Sequence, residues 1–342
     1  MDLCRILENI VFENISNGKV NMRTEGLEAF KGQAETAKQY FRKRKQTVQN
    51  WQFNNSIVLV DIAKGIAKGK ALDISHSLPV FQCNRKIIGT TSLKQIKDSK
   101  VIVVTAGVPR KAGMSRDDLV EVNLKVIKNV GREIKTYSPK SFVIVVTNPL
   151  DVMTWVLQKI TNIPYSHIVG MAGVLDTSRF EFHLADELGV PVEDVSSSVM
   201  GGHGDDMVAL LRNTTVSGTS LEEMIEKKKI TREKVNDIVK RIRTCGAELI
   251  TYMGTSAYYA PAAAAVQMIE CYLRDKKKTL PCSAYLKGQY GIKGLYVGVP
   301  IVLGANGVER IVEINLTKEE KKEFMKSVNS VREILNIAKK II

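Results

Sequence analysis

The sequence predicts an α/β protein: an open, doubly wound parallel sheet followed by a second, α+β domain. Three observations carry this expectation. Short β-branched apolar runs recur at Ile57–Asp61, Val101–Gly107, Phe142–Asn148 and His167–Gly173. Each is nearly continuous in apolar residues rather than alternating, the pattern of strands buried on both faces of a parallel sheet. Helical periodicity lies between them, as in Asp117–Tyr137, and strand alternating with helix argues for double winding. After about residue 175 the pattern changes to longer helices and short strands, which marks a second domain.

Taken in order, residues 1–50 form a basic polar segment, 51–172 the sheet domain and 173–342 the second domain. A chain of 342 residues is long enough for two cores. Its 44% hydrophobic and 25% charged residues are ordinary for a soluble globular protein. No run approaches the ~20 consecutive apolar residues of a membrane helix, and the N-terminal stretch lacks the pattern of a secretory signal. Neither a membrane nor an export route is therefore expected, and the reading is cytoplasmic. Cys4, Cys83, Cys245, Cys271 and Cys282 are scattered without a CxxC pair, so reduced thiols are expected and no metal site. The formal charge of +14 raises a nucleic-acid partner. However, the lysines are interleaved with acids along helical stretches such as Glu222–Arg243, as on solvated helix faces. No nucleic acid is expected. A basic surface would instead raise the local concentration of an anionic small molecule.

Three of the strand runs end in small or polar residues: Thr105-Ala106-Gly107, Thr147-Asn148-Pro149 and Met171-Ala172-Gly173. Ligands in doubly wound folds bind beyond the carboxyl ends of the strands, so a site belongs there. Four local motifs carry the chemistry. Arg110 and Arg116 lie six residues apart on a glycine-containing stretch after the first of these strands. Thr147–Asp151 follows the next one, and Asp176 and Arg179 share one side of a helix start. His203 stands in a loop of glycines, Gly201-Gly202-His203-Gly204-Asp205.

Together, and in this order, these motifs resemble the malate and lactate dehydrogenase family, most closely its bacterial malate-specific branch. The likeness runs from about Ile57 to the C-terminus and includes AYYAPAAA, LPCSAYLKGQYG and YVGVPIVLGANGVERI. It implies a Rossmann-like dinucleotide-binding domain over 51–172 and a catalytic and substrate domain over 173–342. It further implies NAD as cofactor, malate and oxaloacetate as substrates in the tricarboxylic acid cycle, and a homo-oligomer. His203 is then the proton acceptor and donor, suited by an imidazole that titrates near neutral pH. Asp176 orients that ring and stabilises its charged form. Arg179 grips the substrate's C1 carboxylate with two parallel hydrogen bonds. Arg116 polarises the oxaloacetate carbonyl from a closing lid. Arg110, on the same lid, stands where lactate-specific relatives use Gln, and pairs with the second carboxylate of malate. Asn148 hydrogen-bonds substrate, Val146, Thr147 and Asn148 line the nicotinamide side, and Asn123 matches another cofactor contact. Asp61 accepts hydrogen bonds from the adenosine ribose and disfavours a 2′-phosphate. His76, His167 and His183 are structural or surface residues.

The chain departs from the family at its start. A GxGxxG loop is expected about two dozen residues before Asp61, but Ala37, Gln39 and Arg42 stand at the three glycine positions. Thr24–Gln49 is polar, helix-prone and basic, with Arg42-Lys43-Arg44-Lys45 at its centre. An altered N-terminal arm and a disturbed reading frame both account for this. A smaller departure is Gly254-Thr255, where relatives carry Thr-Gly. Three functions stay open: an active NAD-dependent malate dehydrogenase, a degenerate non-catalytic member of the family, and a basic binding protein on the same fold. The glycine positions generate a prediction about affinity. Losing two or three charge-assisted bonds to the diphosphate, at roughly 1.5–3 kcal/mol each, weakens NADH binding by a factor of thousands. Calorimetric titration should give millimolar affinity, restored by grafting a GxGxxG strand and helix ahead of Ile57. Micromolar binding by the unaltered chain contradicts the argument.

Overall fold

The structure is a computed structural model that describes residues 56–80, 83–108 and 116–341, with Arg116 described by its backbone alone. The chain divides into two compact units, Met1–Gln95 and Ile96–Ile342. In the first, strand β1 (Ser56–Val60) runs parallel to β2 (Lys86–Thr90), and helix α1 (Ile66–Ser77) connects them. Ala67, Ala71 and Ile74 make the buried stripe of α1 at helical spacing. Ile74 and Leu78 pack on Ile57, Leu59, Cys83 and Ile87. Gly89 lets helix and strand approach closely, since a Cβ there would strike the Ala67 carbonyl.

The second unit begins with the expected alternation: β3 (Val101–Val104), α2 (Arg116–Tyr137), β4 (Phe142–Val145), α3 (Leu150–Thr161), β5 (Ile168–Gly170) and α4 (Gly173–Leu188). β3, β4 and β5 are parallel neighbours, and every residue of β4 is buried, as its unbroken apolar run demands. Each ladder stops before its small or polar tip, so Ala106-Gly107, Thr147-Asn148 and Met171-Ala172 project beyond the carboxyl edge.

Short strands follow: β6 (Val195–Ser196), β7 (Val199–Met200), β8 (Val208–Ala209), β9 (Thr215–Val216) and β10 (Thr219–Ser220). Then come helices α5 (Leu221–Glu226), α6 (Arg232–Met253) and α7 (Tyr259–Leu273). Ser220 caps α5 through Glu223 N–H and Thr231 caps α6 through Lys234 N–H, both at 3.2 Å. Phe180 and Leu184 of α4 meet Val235, Ile238 and Ile242 of α6 in one buried cluster.

The closing elements are β11 (Lys278–Lys287), β12 (Lys293–Gly304), β13 (Gly307–Ile311) and α8 (Lys318–Ile341). Here the structure differs from the expectation of short strands, because β11 has 10 residues and β12 has 12. Proline interrupts both runs in the sequence, yet Pro281 and Pro300 lie opposite each other in the register. β11 also pairs with β5, Ser283 opposite Gly170, so one six-stranded sheet has the order β13-β12-β11-β5-β4-β3. Its parallel half is continued by an antiparallel half from the C-terminal part of the chain.

A bridge from β12 holds the histidine loop. Gly201 N–H donates to Gly298 O at 2.8 Å and Gly298 N–H returns the bond at 3.0 Å. A Cβ on residue 298 would collide with the Gly201 carbonyl, a backbone atom that cannot swing away. Gly298→Ala is therefore expected to destabilise the protein by about 1–3 kcal/mol. A thermal melt that leaves the midpoint unchanged would count against this packing.

Candidate active site

The site in the second unit is built around Asp176, in the first turn of α4 and 2% exposed. Gly173 lets that turn start tight against β11 and β7, since a Cβ would sit 2.7 Å from both Pro281 Cβ and the Val199 carbonyl. Asp176 shares its carboxylate. His203 Nδ1 lies 2.8 Å from Oδ2, and Arg179 Nη1 lies 3.4 Å from Oδ1. The spacing of three between Asp176 and Arg179 puts both on one helix side, as expected from the sequence.

A carboxylate can only accept, so Nδ1 carries the hydrogen and the neutral ring presents its lone pair on Nε2. No partner holds Nε2 among the described residues. Burial works against protonation of His203, as does Arg179, but the charge and hydrogen bond of Asp176, helped by Asp151, outweigh them. The imidazole therefore titrates above its ordinary value. The guanidinium of Arg179 has no further partner among the described residues, which leaves most of its donors for a ligand.

The His203 loop is fixed from several sides. Gly201 has φ +95°, a conformation that suits glycine. Gly202 N–H donates to Ser327 Oγ of α8 at 2.9 Å, and His203 N–H donates to Asp151 Oδ2 of α3 at 3.0 Å. Farther along the loop, Asp206 accepts from Ser330 Oγ at 2.7 Å and pairs with Lys326 at 2.9 Å. Asp151 closes the Thr147–Asp151 motif without a role that the sequence assigns, and Ser283 and Ser327 carry no such mark. The one available signal was an acid set in an apolar first turn, Leu150-Asp151-Val152-Met153.

The strand tips carry the other expected residues. Val146 N–H bonds Val104 O at 2.9 Å, and Thr147 Oγ1 donates to Ala106 O at 2.8 Å. Asn148 is exposed, and its peptide to Pro149 is cis. Asn123, expected as a cofactor contact, is 1% exposed and braces the tips. Its Oδ1 accepts from Val108 N–H at 2.7 Å and its Nδ2 donates to Asn148 O at 2.7 Å. Gly107 fits beneath it because a Cβ there would come 2.6 Å from Thr147 Cγ2. Arg110 lies outside the described residues, and Arg116 begins α2 with its side chain likewise outside them.

Two groups suit a nicotinamide dinucleotide, each within its own unit. In the first, Asp61 directly follows β1, with Oδ1 accepting from Ala63 N–H at 2.8 Å, and its other oxygen has no partner among the described residues. Such an acceptor matches a ribose diol. In the second, Val146, Thr147 and Asn148 stand beyond the carboxyl end of β4, braced through Val146 N–H, Thr147 Oγ1 and the Asn148 carbonyl, where a nicotinamide ring would fit. The positions expected to cradle the diphosphate, 37–42, lie outside the described residues. No group of three metal-ligating side chains gathers among the described residues.

Comparison with known proteins agrees with this arrangement. Residues 43–170 match the lactate/malate dehydrogenase NAD binding domain, and 173–342 match that family's alpha/beta C-terminal domain. A malate dehydrogenase of Methylobacterium radiotolerans is 53% identical over 284 residues, covering 83% of this chain and 89% of the relative. The crystal structure of Cryptosporidium parvum malate dehydrogenase superposes with TM-score 0.82 at 42% identity, covering 84% of this chain and 91% of that one. The lactate dehydrogenase of the same organism, complexed with lactic acid and nicotinamide adenine dinucleotide, gives TM-score 0.81 at 44% identity, covering 83% and 90%. With its fold, its His203–Asp176–Arg179 group around a buried carboxylate and both domain matches in agreement, the chain belongs to the lactate/malate dehydrogenase family.

Proposed function

We propose that this chain is an NAD-dependent malate dehydrogenase that interconverts (S)-malate and oxaloacetate. The observation that carries the reading is the 2.8 Å contact between His203 Nδ1 and the buried Asp176 carboxylate, with Arg179 on the other oxygen. A nicotinamide held against Val146, Thr147 and Asn148 would supply the hydride acceptor for malate oxidation and the hydride donor for oxaloacetate reduction. His203 Nε2 takes the hydroxyl proton as the hydride leaves, and gives it back in reduction. Asp176 holds the ring in the needed tautomer and stabilises the imidazolium. Arg179 anchors the C1 carboxylate beside them, with the fork geometry that suits such a group. Arg116 polarises the carbonyl. Malate rather than lactate is favoured by Arg110 in the sequence and by the name of the relative from Methylobacterium radiotolerans. The degenerate reading gains nothing from these findings, because the proton-transfer group is complete.

In the same reading the enzyme serves the tricarboxylic acid cycle in the cytoplasm as a homo-oligomer. The free thiols of Cys83, Cys245, Cys271 and Cys282 suit a reducing compartment, and assembly is supported by the family resemblance. Neither a nucleic acid nor a membrane is proposed as a partner.

Two kinetic results are expected. Oxaloacetate should exceed pyruvate in kcat/KM by orders of magnitude, and Arg110→Gln should erode that margin; equal turnover of both keto acids by the parent defeats the malate assignment. His203→Asn should lower kcat by about 10²–10⁴-fold with NADH affinity nearly unchanged. A variant retaining more than about a tenth of parental kcat would require a different base. The raised imidazole value also sets the pH dependence. Reduction, which needs the protonated ring, persists above the ordinary histidine midpoint, while oxidation gains as pH rises through the raised value.

A further inference from the structure

Building on the dehydrogenase reading, we infer that Asp151 is a positioning residue for His203: its carboxylate holds the backbone behind the imidazole and adds a second negative charge that favours the protonated ring.

Asp151 sits in the first turn of α3, just past the Thr147-Asn148-Pro149 tip, and is 5% exposed. Each oxygen has one donor. Oδ2 accepts from His203 N–H at 3.0 Å, and Oδ1 accepts from Ser283 Oγ at 2.6 Å. Ser283 is fully buried in β11, so its hydroxyl is itself fixed. No Lys or Arg pairs with Asp151 among the described residues, and both of its donors are neutral. Burying a carboxylate on neutral donors alone is costly. The cation that can offset this cost is His203 itself.

The charges facing this group are few. From α4 come Asp176 and Arg179, from α3 Asp151, and from the loop His203. Two carboxylates and one guanidinium leave a single negative charge, which a protonated imidazole neutralises. The influences run in matching directions. Burial and, more weakly, the Asp176 carboxylate raise the Asp151 value, while Ser283, the His203 N–H and the imidazolium draw it back. Asp151 in turn lifts the imidazole. A brace for the loop alone would need the hydrogen bond but not the charge, and that difference can be measured.

The test is an NMR titration of ¹⁵N-labelled histidine rings in the whole chain without cofactor, assigning His203 by its loss in His203→Gln. Asp151→Asn preserves shape, because its oxygen can still accept from His203 N–H and its amide can donate to Ser283 Oγ. The His203 midpoint should fall by about half a pH unit or more, given that a full unit corresponds to 1.36 kcal/mol. In an active preparation the alkaline limb of oxaloacetate reduction should move down equally. A midpoint unmoved from the parent's overturns the inference. The titration needs neither NAD nor turnover, so an inactive chain whose midpoint still falls supports the inference while counting against the proposed function. Should Asp151→Asn fail to fold, Ser283→Ala replaces it. Removing that donor lets Asp151 protonate more readily, so a smaller fall in the His203 midpoint and faster exchange of the His203 amide are expected. Neither change appearing would overturn the inference.

Discussion

Everything in this site depends on one buried carboxylate with two claimants. Asp176 is 2% exposed, and it is tolerable there because His203 takes one oxygen and Arg179 approaches the other. Removing either partner leaves the other alone on a buried charge, and breaking a buried ion pair typically costs about 3–5 kcal/mol. The same arrangement serves the chemistry. An imidazole bound through Nδ1 must present Nε2, and an arginine lightly held at 3.4 Å keeps donors for a substrate carboxylate. Structural satisfaction and catalytic readiness are therefore one geometry.

The fold has to bring the His203 loop to that carboxylate and hold it there. Asp176 comes directly after β5, so the parallel sheet positions it as it positions ligand-binding groups generally in doubly wound folds. His203 has no regular element of its own and takes its place from neighbours. β12 bridges Gly201, α8 holds Gly202 and Asp206, and α3 holds His203 through Asp151. The antiparallel half of the sheet thus does more than enlarge the core. By pairing with β5 it sets Ser283 on Asp151, and through Gly298 it sets the loop on which the imidazole rides.

What could be read from the sequence follows the range of each interaction. Strands β1 and β3 to β5 were legible because unbroken apolar runs signal burial on both faces, and their polar tips located the site. Asp176 with Arg179 was legible from a spacing of three. His203 was legible from its glycines and from the resemblance. The second layer was not, because nothing local announces that Ser283 lies 132 residues from Asp151, or Ser327 125 residues from Gly202. Such bonds exist only once β11 and α8 have docked. Asn123 shows the opposite limit: the motif pointed to the residue, but its place in the middle of α2 could not reveal that its amide is occupied with Val108 and Asn148. The lengths of β11 and β12 were hidden by prolines that turn out to face each other.

The acid–base group and the hold on a cofactor's diphosphate rest on different parts of this chain. Asp176, Arg179, His203, Asp151, Ser283 and Ser327 all lie within Ile96–Ile342, and their mutual contacts need no residue before it. The cradle for a diphosphate would come from positions before Asp61, where Ala37, Gln39 and Arg42 replace the glycines that allow close backbone approach. The charged group around Asp176 is held by burial and short contacts. Cofactor affinity is set by backbone donors near a helix start. These are separate energetic terms, and the loss of the second does not loosen the first. A chain with this sequence can therefore keep a fully assembled acid–base site while its hold on the dinucleotide is set elsewhere.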